Sequence, residues 1–289
     1  MNNRNPLVSV IIPTCNRKNF IYTAILSIEM QQYDNIEIII IDDSSKPQLD
    51  KSQLPKCRFS IKIIVNHEKL GGAISRNIGI KNSNGDYICF LDDDDEYLPN
   101  KINFLLHAFS NNKQADAIFG KIIKKSQPNR ITPLNKVCNN KSKISSLSAL
   151  KYLHTNSSLI KRSVFNNLMF HESLEKYQDT QIHSELIKRY NCYYFDTPVA
   201  IWNDNHGGIQ ITNMSSKENR IKSIINYQKY RNQMIILNCF NFHEKIKTKL
   251  SLINMYYKYH LLFQEMPSTR ISKIDKFILN LLLLWKIKR

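Results

Sequence analysis

The sequence predicts an α/β protein: a mostly parallel sheet with helices on both faces, followed by a basic helical extension. Three observations carry this prediction. Residues 7–12, 36–41 and 87–91 are short runs, apolar almost throughout and rich in β-branched residues, as strands buried on both faces are. A polar loop and then a helix-spaced apolar stripe follow these runs, and repeated strand–loop–helix units build parallel sheets. Polar residues collect where the apolar runs end, the place at which open α/β sheets hold ligands.

Taken in order, residues 7–12 form a first strand that stops at Pro13-Thr14-Cys15-Asn16-Arg17, a loop. Ile21, Ala24, Ile25 and Ile28 mark the next helix by their spacing. Residues 36–41 form a second strand ending at Asp42-Asp43-Ser44-Ser45, and residues 61–65 a third. Gly71-Gly72-Ala73 leads into a short helix over 74–81 that carries Arg76 and Asn77. Residues 87–91 form a fourth strand, stopped by Asp92-Asp93-Asp94-Asp95 before a helix with Ile102, Leu105, Leu106 and Phe109 on one face. Residues 118–123 read as a further strand, and 124–148, broken by Pro128 and Pro133, as a long loop of the kind that often serves a site. Residues 157–165 are short and mixed. Residues 174–190 hold Asp179 and a partial helical stripe, while 193–195 and 199–202 read as two closing strands. Beyond residue 215 the pattern is helical and basic.

Composition narrows the function classes. Of 41 Lys and Arg, 15 lie after residue 212, against 4 of the 24 Asp and Glu. A basic tail on a less charged body points to an anionic surface, membrane or nucleic acid. Leucines interleave the basic residues and no nucleic-acid motif is visible, which argues against nucleic acid. The six cysteines are scattered without C-x-x-C spacing, as in a reduced, cytoplasmic protein rather than a zinc or disulfide scaffold. Residues 1–6 lack the apolar core of a signal peptide, and no run is long enough to span a bilayer. Residues 277–285, with Trp285 and the basic end Lys286-Ile287-Lys288-Arg289, suit a helix lying in a membrane interface, or one docked on the body or on another subunit. Gly71-Gly72 is not a G-x-G-x-x-G fingerprint, so a dinucleotide site is not supported.

The chemistry centres on residues 92–95. Four adjacent carboxylates repel one another, and as hard oxygen ligands they suit a divalent cation such as Mn²⁺ or Mg²⁺. A solvated acidic turn at a helix start would look the same in isolation.

Taken together, the motifs resemble family 2 glycosyltransferases, which have the GT-A fold. Val8-Ser9-Val10-Ile11-Ile12-Pro13-Thr14-Cys15-Asn16-Arg17 is similar to their opening strand and loop, and Glu37-Ile38-Ile39-Ile40-Ile41-Asp42-Asp43 to their second strand and its acidic end. Gly71-Gly72-Ala73-Ile74-Ser75-Arg76-Asn77-Ile78-Gly79 resembles the segment before the metal strand. Residues 92–95 fit D-x-D-D, followed by Leu98-Pro99, and Tyr177-Gln178-Asp179-Thr180 resembles the later acidic motif, with Gln178 where the family usually has Glu. The resemblance implies a GT-A domain over 1–212, its nucleotide-sugar part at 1–110 and its acceptor part at 111–212, with 213–289 as an extension outside it.

The resemblance also implies roles. Pro13, Thr14, Asn16 and Arg17 wrap the base and ribose of a UDP-sugar, Asp43 binds the uracil ring, and Arg76, Asp92 and Asp93 face the nucleotide. Asp94 is the direct metal ligand, joined by His206 of His206-Gly207-Gly208, and Asp179 is the base that takes the acceptor proton in an inverting transfer. The expected acceptor is a lipid-linked saccharide in bacterial surface polysaccharide assembly, met at the inner face of the cytoplasmic membrane. Trp202 and Tyr193-Tyr194 are either stacking platforms for the acceptor or core residues. A nucleotidyltransferase would need a Gly-rich, Lys-bearing phosphate loop near residue 13, and none is apparent. A non-catalytic donor-binding or scaffold subunit is the other alternative, against which Asp92, Asp94 and Asp179 stand intact.

Overall fold

The structure is a computed structural model and describes residues 5–129, 132, 137–139, 142–144, 146–204, 216–269, 271–273 and 275–280. The chain divides into two units, residues 1–172 with 178–207, and residues 173–177 with 208–289.

The first unit is built on one eight-stranded sheet. Its strands are β1 (Val8–Thr14), β2 (Ile36–Asp42), β3 (Ser60–Val65), β4 (Tyr87–Phe90), β5 (Glu96–Tyr97), β6 (Ala117–Lys124), β7 (Ser158–Lys161) and β8 (Cys192–Trp202), in the order β3-β2-β1-β4-β7-β6-β8-β5. The first four are mutually parallel, β7 runs antiparallel between β4 and β6, and β8 is parallel to β6. The chain therefore moves outward from β1 to β3 and returns to the other side of β1 as β4. This reversal opens a crevice at the carboxyl ends of β1 and β4, the switch point where α/β sheets bind ligands.

Both faces of the sheet are covered, as the uniformly apolar strands require. Val10 and Ile12 of β1, Ile38 and Ile40 of β2, and Cys89 of β4 pack with Ile21, Ile25 and Ile28 of α1 (Lys18–Glu29) and with Ile102 and Leu105 of α3 (Lys101–Asn111). The alternate residues Ile11, Ile39, Ile41, Ile88 and Phe90 face Ala73 and Ile80 of α2 (Gly72–Lys81) and Ile182 and Leu186 of α4 (Gln178–Arg189). The mostly parallel sheet and two-sided helices thus stand as predicted from sequence.

One expectation changes. Residues 193–195 and 199–202 are not two strands but the two halves of β8, whose register against β6 slips by three residues around an irregularity at Phe119–Ile122. The polar Asp196-Thr197-Pro198 between them is the extra chain that the slip absorbs. Gly120 sits opposite it, where a Cβ would lie 2.5 Å from Val199 Cγ1, so only glycine allows the two strands to close there.

The second unit is helical. It contains α5 (Lys217–Ile236) and α6 (Phe242–Phe263), around a core of Ile224, Leu252, Tyr256, Tyr259 and Leu279. Asn241 and Glu244 close a reciprocal capping box at the start of α6. Residues 173–177 belong to this unit although the chain reaches α5 only forty residues later. Buried Asn226 accepts the Glu175 and Lys176 N–H groups on Oδ1 at 2.8 and 3.2 Å. The Tyr177 hydroxyl lies 2.9 Å from Ser223 Oγ, and its ring stacks on Tyr230. Among the described residues no helix is long and apolar enough to cross a membrane.

Candidate active site

The four aspartates follow β4 directly. The Leu91 N–H still bonds Ile11 O of β1 at 3.0 Å, and the chain then turns, with the Asp95 N–H on Asp92 O at 3.1 Å. A turn closed in this way brings its first and fourth residues together and pushes the middle two outward. The run is therefore split into two pairs with different partners.

Asp93 and Asp94 face the end of β1. Thr14 Oγ1 donates to Asp93 Oδ2 at 2.7 Å, and Arg17 Nη1 reaches Asp93 Oδ1 at 3.1 Å and Asp94 Oδ2 at 2.7 Å. Burial pushes the Asp93 carboxyl up to about 6, opposed by Thr14 and Arg17. Pro13 is a strand residue paired with Ile41. Asn16, at φ 57°, ties this loop to the end of β2: its N–H bonds Ser45 Oγ and its Oδ1 accepts the Lys46 N–H, both at 2.7 Å. Asp43 is buried, and its carboxylate accepts Asn66 Nδ2 (2.9 Å) and the Leu70 and Gly71 N–H groups (2.8 Å each). Asp43 thus fixes the loop entering α2, where Gly71 has φ +90°.

Asp92 and Asp95 face the other way. Arg76, expected on the nucleotide side, is buried in α2 and bonds Asp92 Oδ1 through Nη2 at 2.5 Å and Gln178 Oε1 through Nη1 at 2.9 Å. Asn156 clasps both ends of the turn, accepting the Asp92 N–H at 3.1 Å and donating to Asp95 Oδ2. The Asn203 N–H bonds Asp95 Oδ1 at 2.9 Å. Burial, then the neighbouring Asp92, pushes the Asp95 carboxyl up to about 8, against the bonds from Asn203 and Asn156. Below the turn lies a fully buried Lys101, whose Nζ donates to Asn156 O at 2.7 Å and sits 3.4 Å from the Tyr97 ring centroid. Burial lowers that ammonium to about 8.

This second pair is joined by His154: one ligand atom each of Asp92, Asp95 and His154 fall within 4.8 Å of one another. Two carboxylates and an imidazole are a fitting donor set for a divalent cation such as Mn²⁺. His154 Nδ1 accepts the Asn156 N–H at 3.3 Å, which leaves Nε2 for an ion. Asn203 keeps a buried Oδ1 with no hydrogen-bond partner among the described residues, a further oxygen beside Asp95. Asp94 is not in this group but in the ion pair with Arg17, and His206 lies outside the described residues.

Asp179 stands in the first turn of α4. Burial alone would raise its pKa, but the Arg76 cation, first among the groups that oppose it, helps hold the carboxyl below its ordinary value. It is therefore ionised at neutral pH, as a base must be. His183, one turn further on, is buried edge-on against Phe119, and burial lowers it to about 4, so it is neutral. Arg76 thus links Asp92, Asp179 and Gln178.

Sequence reasoning passed over His154, Asn156, Lys101 and Asn203. The first two lie in short 3₁₀ turns with no periodicity to read, and Lys101 sits at a helix start where a lysine is ordinarily solvated. The tract His154-Thr155-Asn156-Ser157-Ser158 is polar yet mostly buried, a combination visible only once the fold is known.

A model of glycosyl transferase family 2 matches residues 9–176. An uncharacterized glycosyltransferase of Rickettsia typhi is 34% identical over 73% of this chain and 68% of its own length. Another, from Rickettsia felis, is 30% identical over 80% of this chain, which spans only 40% of that relative. A protein of Escherichia coli K12 named "Putative colanic acid biosynthesis glycosyl transferase WcaA" is 38% identical over 36% of this chain and 38% of its own length. Among solved structures, Staphylococcus aureus TarS in complex with UDP-GlcNAc matches with a TM-score of 0.62 at 17% identity, over 89% of this chain and 73% of that one. A mannosyltransferase of Pyrobaculum calidifontis, in complex with GDP-Man and Mn²⁺, matches at 0.60 and 13% identity, over 99% and 81%. These structural likenesses show a shared fold, that of GT-A enzymes. The chain belongs to glycosyl transferase family 2.

Proposed function

We propose that this enzyme transfers a hexose or N-acetylhexosamine from a UDP-sugar to a saccharide acceptor, with inversion and with the help of a divalent cation. The observation that carries the reading is Arg76, one buried guanidinium that serves both Asp92 on the acidic turn and the ionised Asp179. It ties a candidate base to the cluster that would meet a diphosphate.

In the reaction, an acceptor hydroxyl attacks the anomeric carbon as the bond to the UDP oxygen breaks, and Asp179 takes the hydroxyl proton. Arg76 keeps Asp179 charged until then. A Mn²⁺ or Mg²⁺ ion held by Asp92, Asp95 and His154 would absorb the charge of the leaving diphosphate. Asp93, Thr14 and Arg17 bound the donor side with Pro13 and Asn16. Asp43 uses three of about four lone-pair sites internally, and the fourth, without a partner among the described residues, would accept the uracil imide.

The acceptor is a lipid-linked saccharide of bacterial surface polysaccharide assembly, a reading supported by the name of the Escherichia coli relative. The second unit holds the enzyme at the inner face of the cytoplasmic membrane. Phe242, Ile246, Leu250, Leu262 and Phe277 are exposed there among lysines, a composition suited to a membrane interface.

The first test is thermal stabilisation by a panel of nucleotide sugars, with and without Mn²⁺, since a ligand that binds only the native state raises Tm. One UDP-sugar should stabilise the enzyme only with metal. Asp179→Asn should keep that stabilisation and lose about 10²–10⁴ in kcat. Equal loss of donor binding in Asp179→Asn would refute its role as base.

A further inference from the structure

An open groove lies at the carboxyl end of β6, and its chemistry is the opposite of the acidic turn. Lys121, Lys124 and Lys151 line it with Tyr152, His154 and Trp202, and among the described residues its lining holds no Asp or Glu. His154 therefore belongs to two places at once: to the carboxylate group with Asp92 and Asp95, and to the wall of a basic, aromatic cavity. The His154 and Trp202 rings are 5.7 Å apart.

Each aromatic group bears on the purpose. Trp202 was open to two readings from sequence, core or platform. It is only half-buried, and Lys124 Nζ lies 4.5 Å from its ring centroid. Lys124 is also 3.2 Å from Asp204, and Lys121 is 3.6 Å from Asp196, two acids outside the lining. Lys151 is exposed beside Tyr152 and has no carboxylate partner among the described residues. Two of the three ammonium groups are thus balanced from behind, and the third leaves the cavity a net cation. An indole face suits the apolar side of a sugar ring, and clustered ammonium groups suit a phosphate or carboxylate.

We propose that this cavity is the acceptor subsite and that it selects an anionic saccharide, with the ring against Trp202 and its phosphate or carboxylate at Lys151. The inference rests on the transferase reading, because the shared His154 puts the cavity next to the reacting groups. It adds that the acceptor carries negative charge of its own.

The chain has two tryptophans, Trp202 and Trp285, so the Trp285→Phe protein reports on the cavity by fluorescence. It would be saturated with UDP and Mn²⁺ and titrated with glucose 1-phosphate, glucuronate and methyl glucoside. A saturable change in Trp202 emission with an anionic probe, at least about tenfold tighter than with methyl glucoside, is the expected result. Lys151→Ala should weaken the anionic probe about tenfold and leave the neutral one unchanged. The better of the phosphate and carboxylate probes names the anion. Equal response to charged and neutral sugars, no response to any, or no effect of Lys151→Ala would overturn the proposal. Release of UDP from UDP-N-acetylglucosamine into water by the wild-type enzyme, with the donor panel above, reads the donor site alone. A failure there would remove the transferase reading and with it the acceptor role of the cavity, whereas donor turnover without a charge-selective Trp202 response would overturn the cavity proposal alone.

Discussion

The two halves of the acidic turn differ although they are made of the same residue. Asp93 and Asp94 share one arginine, Arg17, which is partly open to solvent, and sit against the end of β1. Asp92 has a buried arginine, while Asp95 has only amide donors and lies fully inside. A carboxylate paired with a guanidinium has its charge answered within the protein. A buried carboxylate beside another one and bonded only to amides does not, and it holds its proton until a cation arrives. The difference teaches that position within the turn, not residue type, separates a donor wall from a candidate metal seat.

The comparison is broken most sharply at the metal. Asp95→Asn should remove metal-dependent stabilisation by donor, worth about 2.7 kcal/mol at ligand a hundredfold above Kd. Asp94→Asn should retain most of it. The family resemblance favours Asp94 as the ligand, so the reverse outcome in the same thermal assay would return the ion to Asp94.

The arginines give the next largest contrast. Arg76→Ala leaves Asp92 and Asp179 without their shared cation and should cost about 3 kcal/mol in urea unfolding. Arg17→Ala acts at a more open pair and should cost about 1 kcal/mol or less. Comparable losses would mean that the two pairs are equally buried in solution.

A smaller effect appears with pH. The Asp95 carboxyl is raised to about 8 from an ordinary 3.8, so the folded state binds a proton that the unfolded state has lost. Stability of the metal-free enzyme should therefore fall as pH rises from 6.5 to 8. Below 6.5 the depressed His183 works in the opposite direction, and toward pH 8 so does Lys101, whose buried ammonium is lowered to about 8, so the slope is cleanest just above pH 6.5. Mn²⁺ replaces that proton, and its stabilising effect should grow across the same window. A flat Tm just above pH 6.5, where Lys101 is still fully charged, would show that Asp95 is already ionised.

Much of this was legible in the sequence where burial is two-sided. Strands β1, β2 and β4 are apolar along almost their whole length because helices cover both faces, and their ends mark the crevice. Asp179 stands at the start of a helix, as its motif led one to expect, in the first turn of α4. The partners of the acidic turn were not. Asn156 is about sixty residues from the aspartates it clasps and Asn203 more than a hundred, and neither follows a period. The slip in β8 was read as two strands because a register shift leaves the same polar gap as a turn. The division of the aspartates needs one backbone hydrogen bond, Asp95 N–H to Asp92 O, that no residue pattern announces.

The placement of residues 173–177 has a consequence for how the enzyme is made. These five residues lead directly into α4 and Asp179, yet Asn226 and Ser223, which hold them, leave the ribosome nearly fifty residues later. A nascent chain folds from its N-terminal end as it emerges. The strands of the crevice can thus assemble while the approach to Asp179 still waits for α5. For the same reason the second unit is not a detachable tail: a chain ended at residue 212 would strand the Tyr177 ring and two backbone N–H groups. Residues 173–177 would thus find their partners only after the segment that looks most dispensable has been translated.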